Sequence, residues 1–349
     1  RLEQQVLPHD RLKTHSKETR CRVGRPTASV RLMPGEIIGW QASAPLANLR
    51  RRAEIVASIR SHFAAQGLLE VDTPQLCPAT VTDPHLQSIE VAGYGYLQTS
   101  PEYAMKRLLA AGSGSIWQIA HVFRGNESGR RHNPEFSMLE WYRVGCTPEQ
   151  LMAEVATVAR LALGEVGCVS HRYRDLFRRH LGLDPLTCGT EALRQAAHER
   201  FDPAFDDADR DTWLELLMSQ AIEPHLGRDE LCFVIDYPPS QAALARLRSD
   251  SDGQPVAARF ELYFRGVELA NGYHELLDAG EQRRRFAADL QRRSELGLPA
   301  VPIDEEFLAA IDSGLPDCSG VALGLDRLVM LAVDAGSLQE VLSFPCRRG

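Results

Sequence analysis

Apolar residues from Leu46 onward (Leu49, Ile55, Val56, Ile59, Phe63) recur mostly at steps of three and four, the mark of an amphipathic helix, with Gly67 placed to end it. Leu68–Thr73 then predicts a strand closed by Pro74. Two apolar runs, Ile116–Phe123 and Phe136–Tyr142, flank a long polar loop and predict a pair of strands. Ahead of them, Tyr96–Glu102 leads into a helix, with Ser100 as N-cap, Pro101 at the first position and Glu102 in the first turn. Thr147-Pro148-Glu149 starts another helix that reaches Leu163. Further along, Leu231–Tyr237 reads as a buried strand, Glu281–Leu296 as an exposed arginine-rich helix, and Gly320–Leu328 as strand, glycine turn and helix. Asn271-Gly272 taken alone is a hairpin signal. Between about Gly164 and Gly227 the pattern predicts amphipathic helices and loops without legible chemistry. Asp206, Asp207, Asp209 and Asp211 lack the glycine and terminal glutamate of a calcium loop, so they predict an acid-rich helix start.

Composition narrows the class. The 349 residues, 44% hydrophobic and 25% charged, are globular material for one large domain or two of usual size. No apolar run reaches the roughly 20 residues needed to span a bilayer, and no secretory signal is visible. Eight cysteines lie far apart without zinc spacing, which predicts free thiols in a reducing cytoplasm. Net charge is −8, yet Arg1–Arg31 carries eight Lys or Arg against three acids. The remainder is therefore more acidic than the total, which argues against a large nucleic-acid surface. Residues 1–41 are expected to form a basic, disordered extension, the part before Met33 being an upstream addition, and residues 42–349 the working domain.

The polar loop carries the first candidate chemistry. Arg124, Arg130, Arg131 and His132 fall within nine residues, with Glu127 and Glu135 nearby. Arginine forks grip phosphate oxygens in pairs, so such a loop suits a polyphosphate; a solvated loop would carry similar charge. The spelling decides between them. Arg130–Phe136 reads RRHNPEF, and the stretch from Phe123 to Arg143 resembles motif 2 of the class II aminoacyl-tRNA synthetases, most closely the lysyl branch. The similarity is greatest to the short relatives of lysyl-tRNA synthetase that attach (R)-β-lysine to a lysine of elongation factor P. It runs from about Leu46 to about Phe344, with Trp141-Tyr142-Arg143 among its marks. The helix from Leu46 with its following strand looks like motif 1, and Gly320–Leu328 like motif 3.

That resemblance implies an α/β (α+β) catalytic domain: a mostly antiparallel sheet flanked by helices, paired as a homodimer through motif 1. It also implies ATP with Mg²⁺. Arg124 is matched to the α-phosphate and the reacting carboxylate, and Arg327 to the distal phosphates. Gly125, Asn126, Glu127, Asn133, Glu268, Leu269 and Gly324 are expected to border the nucleotide. Glu268 and Glu275 are the implied Mg²⁺ ligands, although their opposite strand parity requires a bulge or turn at Gly272 for them to share a face. Ser100, Pro101, Glu102, Tyr142, Asn271, Glu275 and Ala322 are expected to line the substrate pocket, since a diamine needs buried carboxylates. The class pattern places an acid two residues after Arg124, where this chain has Asn126 and carries Glu127 one place later. Ala322 stands where lysyl-tRNA synthetases have glycine and the β-lysine ligases alanine; one carbon shifts selectivity by about 1–3 kcal/mol, and the resemblance turns that shift toward β-lysine. Only the stretch up to Pro45 precedes motif 1, so an anticodon-binding OB domain is expected to be missing and elongation factor P, not tRNA, to be the acceptor. The competing readings are a truncated lysyl-tRNA synthetase-like enzyme using α-lysine or another acceptor, and a non-catalytic regulatory paralogue.

Overall fold

The computed structural model describes residues 40–206 and 208–346. The expected basic extension lies outside these residues except for its last two, and Asp207 lies outside them as well. In chain order the first elements are α1 (Leu46–Ala65), β1 (Leu69–Glu70), β2 (Leu76–Cys77), β3 (Ile89–Val91), β4 (Gly95–Leu97) and α2 (Glu102–Ala110). Gly67, at φ +71°, ends α1: its N–H donates to the Ala64 carbonyl and that of Leu68 to Phe63, a Schellman arrangement that reverses the chain. The strand after it is two residues long, shorter than Leu68–Thr73 suggests. Ser100 Oγ accepts the Glu102 N–H at 3.0 Å, but the N-cap residue is Pro101 and the first helical residue Glu102, so α2 starts one residue later than expected.

There follow β5 (Ile116–Phe123), β6 (Glu135–Val144), α3 (Pro148–Leu163), β7 (Gly167–Arg172), α4 (Tyr173–Leu181), α5 (Thr190–His198) and α6 (Arg210–Leu217). A capping box between Thr147 and Gln150 starts α3, and Asp209 caps α6, bearing out the acid-rich helix start. Strand β7 was not legible: it is a half-exposed edge strand whose residues, Gly-Cys-Val-Ser-His-Arg, do not alternate. The last elements are β8 (Glu230–Tyr237), β9 (Leu247–Ser249), β10 (Pro255–Phe264), β11 (Val267–His274), α7 (Ala279–Glu295), α8 (Glu305–Asp312), β12 (Cys318–Gly324) and α9 (Leu325–Ala332). The seven cysteines among the described residues are all free.

Nine strands make the main sheet, in the order β1-β5-β6-β12-β11-β10-β8-β7 with β9 on β10. Only β1 with β5 and β7 with β8 run parallel. The sheet has two unlike faces. On one, Trp117, Leu139, Trp141, Val321, Leu323, Phe260 and Leu262 pack against Ile55, Ile59 and Phe63 of α1, Val155 and Val158 of α3, and Leu328 and Val329 of α9. Burying each large side chain contributes about 1.5–3 kcal/mol, so this face anchors the fold. Strict alternation sends the intervening residues to the other face. There, Gln118, Glu140, Ala322, Asn271 and Glu261 lie side by side across β5, β6, β12, β11 and β10. The next row is Ile116, Tyr142, Gly320, Tyr273 and Arg259. An apolar cap of Met105, Leu109, Phe286, Phe307 and Ile311, from α2, α7 and α8, closes the end of this face.

Candidate active site

Two features of β10 and β11 set the geometry. Their turn is Arg265-Gly266, both at positive φ as a two-residue hairpin requires. Asn271-Gly272, the stronger turn signal, lies mid-strand, where a Cβ on Gly272 would occupy the Phe260 ring. The irregularity expected at Gly272 is a bulge at Leu269: Leu262 pairs with Ala270 but Tyr263 pairs with Glu268. The extra residue turns both Leu269 and Ala270 to the core and brings Glu268 onto the face of Asn271, Tyr273 and Glu275. The Leu269 side chain is thus buried away from the site, and only its backbone can border a nucleotide.

At one end of this face stand the arginines. Arg124 follows β5; its guanidinium lies 5.2 Å over the Phe136 ring and 3.6 Å from Glu127 Oε1. Arg327, in the first turn of α9, donates to the Glu268 carbonyl at 3.0 Å and to Glu268 Oε2 at 3.3 Å, and lies 2.7 Å from His132 Nε2. Burial, then Arg327 and Arg124 among its neighbours, hold His132 below the usual histidine range, so both guanidiniums act on one imidazole. Gly125 donates to the Gln87 carbonyl, and Asn126 takes a left-handed φ of 60°. Asn133 is fully engaged with backbone, donating to Glu135 and accepting from Cys346, so it shapes the loop. Gly324, at φ −69°, leaves bare backbone beside Arg327.

At the other end are the buried acids. Ser100 and Tyr142 donate to the two oxygens of Glu140, at 2.6 and 3.1 Å. Burial, then Glu102, pushes the Glu140 carboxyl up to about 8. Lys106 Nζ sits 2.6 Å from Glu102 Oε1 and 2.5 Å from Glu275 Oε2. Burial alone would lower that ammonium, but Glu102 and Glu275 outweigh it and hold it above the usual lysine value. Glu275 is fully buried, which raises its carboxyl to about 7 against the pull of Lys106. Asn271 joins the rows, accepting from Arg259 and donating to Tyr273. Ala322 lies between Glu140 and Asn271. Pro101 precedes α2 beside Ser100.

Glu140, Lys106 and Glu261 were missed as site residues. Glu140 shares strand parity with Tyr142, and Lys106 is four residues after Glu102, so both signals were present. The expected metal pair needs correction. Glu268 and Glu275 share a face, but about 20 Å of strand separates them, beyond what two carboxylates on one Mg²⁺ can bridge. The carboxylates near Glu268 are instead Glu261 and Glu223; burial, then Glu261 and Glu268, push Glu223 up to about 7. Both oxygens of Glu261 are taken by Arg259, Tyr237 and Tyr263, which leaves Glu268 the more open donor. Hard oxygen donors beside arginines fit a Mg²⁺ that arrives on a polyphosphate. No group of three or more His, Cys, Asp or Glu forms a metal cage among the described residues.

Residues 36–348 match the family described as tRNA synthetases class II (D, K and N). The chain belongs to that family. Among its relatives, the elongation factor P–(R)-β-lysine ligases of Edwardsiella ictaluri and Yersinia enterocolitica are each 49% identical over 324 residues, 90% of this chain and 99% of theirs. The ligase of that name from Proteus mirabilis is 48% identical over the same coverage. The fold agrees with the family: a mostly antiparallel sheet flanked by helices, with motif 2 as β5–β6 and motif 3 as β12–α9.

Proposed function

We propose that the protein is an ATP-dependent ligase that activates (R)-β-lysine and transfers it to a lysine side chain of elongation factor P. One observation carries this reading: the buried acids Glu140 and Glu275 and the mostly buried Glu102 are joined through Ser100 and Lys106, with Arg124 close enough to act on Glu140 and Arg327 bound to Glu268. A substrate carboxylate oxygen attacks the α-phosphorus of ATP, forming a mixed anhydride and releasing pyrophosphate. The acceptor's ε-amine then attacks the acyl carbon, AMP leaves, and the amine sheds a proton as the amide forms. Such chemistry needs positioning and charge neutralisation more than acid–base groups. Arg124 steadies the α-phosphate with Glu127 orienting it, and Arg327 meets the distal phosphates. Glu268, with Glu261 behind it, would hold Mg²⁺, which supplies further neutralisation of phosphate charge. Glu102, Glu140 and Glu275 receive the two ammonium groups, with Ser100, Tyr142 and Asn271 around them.

The acceptor is inferred from the relatives' names, and a translation factor as acceptor supports a cytoplasmic setting. Ala322 beside Glu140 narrows the floor and favours the β-amino acid. The likeness of α1 and β1 to motif 1 supports a homodimer through this side. Pyrophosphate exchange should be stronger with (R)-β-lysine than with α-lysine, and purified elongation factor P should gain the mass of one β-lysyl group. Exchange with neither amino acid would overturn the reading.

A further inference from the structure

Lys106 is a costly residue to bury. Its side chain is 1% exposed, its ammonium lies 5.8 Å over the Phe307 ring, and its ionic partners among the described residues are Glu102 and Glu275. A buried ion pair is often no more stabilising than apolar residues of the same volume, and the preceding residue of α2, Met105, is fully buried without difficulty. The triad therefore calls for a reason other than stability. Glu275 supplies one. It has no exposure, and neither of its oxygens meets hydrogen-bond geometry. Lys106 holds Oε2, while Oε1 faces Gly320 beside the Tyr142 ring, so close that a Cβ on Gly320 would overlap both. Lys106 likewise takes Oε1 of Glu102.

We propose that Lys106 is a positioning residue for substrate specificity: it holds one oxygen of Glu102 and one of Glu275, leaving the other oxygen of each for a substrate ammonium. It also sets the charge of the pocket. Glu102, Glu140 and Glu275 supply three negative charges when ionised, and Lys106 reduces them to two, the number that a diamine neutralises. Without Lys106, two buried carboxylates would face each other unscreened and would protonate or turn apart. This inference rests on the diamine substrate of the proposed function.

The test is pyrophosphate exchange by the full chain with (R)-β-lysine and with 3-aminohexanoate, which lacks the terminal amine. Lys106→Met should raise KM for (R)-β-lysine by about 10–100-fold, the loss of one charge-assisted contact, and shrink the preference over 3-aminohexanoate to match. KM for ATP and kcat should stay within about threefold of wild type, a split that general damage to the fold does not produce. Lys106→Gln, which can still donate to Glu102, serves if the methionine variant does not fold. Unchanged KM and preference in a folded variant would overturn the inference while leaving the ligase reading intact. Equal losses in kcat and in KM for ATP, or failure of both variants to fold, would assign Lys106 to the fold and overturn it also. A wild type inert with (R)-β-lysine would instead remove the ligase reading, and this inference with it.

Discussion

Arg52 donates to Asp326 at 2.5 Å, and Asp326 is the residue immediately before Arg327. The same guanidinium reaches Ser137 Oγ at 2.8 Å, and the other oxygen of Asp326 accepts the Ser137 N–H at 2.9 Å. One arginine of α1 thus ties together β6 and α9, the two elements that present the arginine-rich loop and Arg327. Asp326 is almost fully buried, while Arg52 is about one-fifth exposed. Replacing Arg52 by methionine strands a buried carboxylate and is expected to cost about 3 kcal/mol in chemical denaturation, at the lower end for such pairs because water reaches the arginine. In the folded fraction, KM for ATP should rise more than KM for the amino acid, since Arg327 loses its support.

The acid displaced by one place in the loop has a conformational explanation. Asn126 sits at φ 60°, where asparagine is among the few side chains readily accommodated, and Glu127 comes within 3.6 Å of Arg124. Glu127→Ala should lower kcat/KM for ATP by about tenfold through a loosened Arg124. Asn126→Gly should be nearly neutral. Asn126→Glu, which restores the class pattern, should destabilise by about 1 kcal/mol and gain no activity. Exchange kinetics and melting curves on the three variants separate these outcomes.

Periodicity was enough to place the β5–β6 hairpin, α3 and the β12–α9 turn, because each has a buried face with strict spacing and a cap or glycine at its end. What escaped it depends on contacts distant in sequence. Leu269 carries no local sign that it forms a bulge, yet that bulge decides which face Glu268 occupies. Asn271-Gly272 spells a turn, but Gly272 is demanded by the Phe260 ring on the neighbouring strand. Lys106 meets Glu275 only because α2 packs across the end of β11. Separating Glu268 from Glu275 as metal ligands needed the length of the strand between them, which residue parity does not supply.

Gly320 lies against Tyr142 and Glu275 at the substrate end. A Cβ there would overlap the Tyr142 ring and Glu275 Oε1. Gly320→Ala should therefore cost about 1–3 kcal/mol as overpacking. Exchange with (R)-β-lysine should fall by about 100-fold or more, the pocket having lost both space and the aim of Glu275. Thermal stabilisation by ATP alone should persist, because Arg327, matched to the distal phosphates, contacts Glu268 and His132 and not Gly320. Loss of ATP stabilisation together with exchange would show the two ends to be one unit.

Glu140 makes the protein's pH response specific. Its carboxyl is raised from an ordinary 4.5 to about 8, by burial first and Glu102 second, with Ser100, Tyr142 and Arg124 opposing. The folded chain therefore binds more protons than the unfolded one between these values. Stability from this group is complete below about pH 4.5 and is lost as pH rises through about 8, on the order of 2–4 kcal/mol in all. Glu140→Gln should flatten that decline in denaturation series from pH 5 to 9. Substrate binding should move the opposite way: an ammonium needs the ionised carboxylate, so KM for (R)-β-lysine should fall between pH 6.5 and 8.5 while the amines stay protonated. Glu275, raised to about 7, adds to the same slope from the acid side. In Glu140→Gln only the Glu275 part should remain, so the fall in KM should be smaller than in the wild type. A variant whose KM still falls as far as the wild type's up to pH 8.5 would mean that some other group, and not Glu140, receives the substrate's charge.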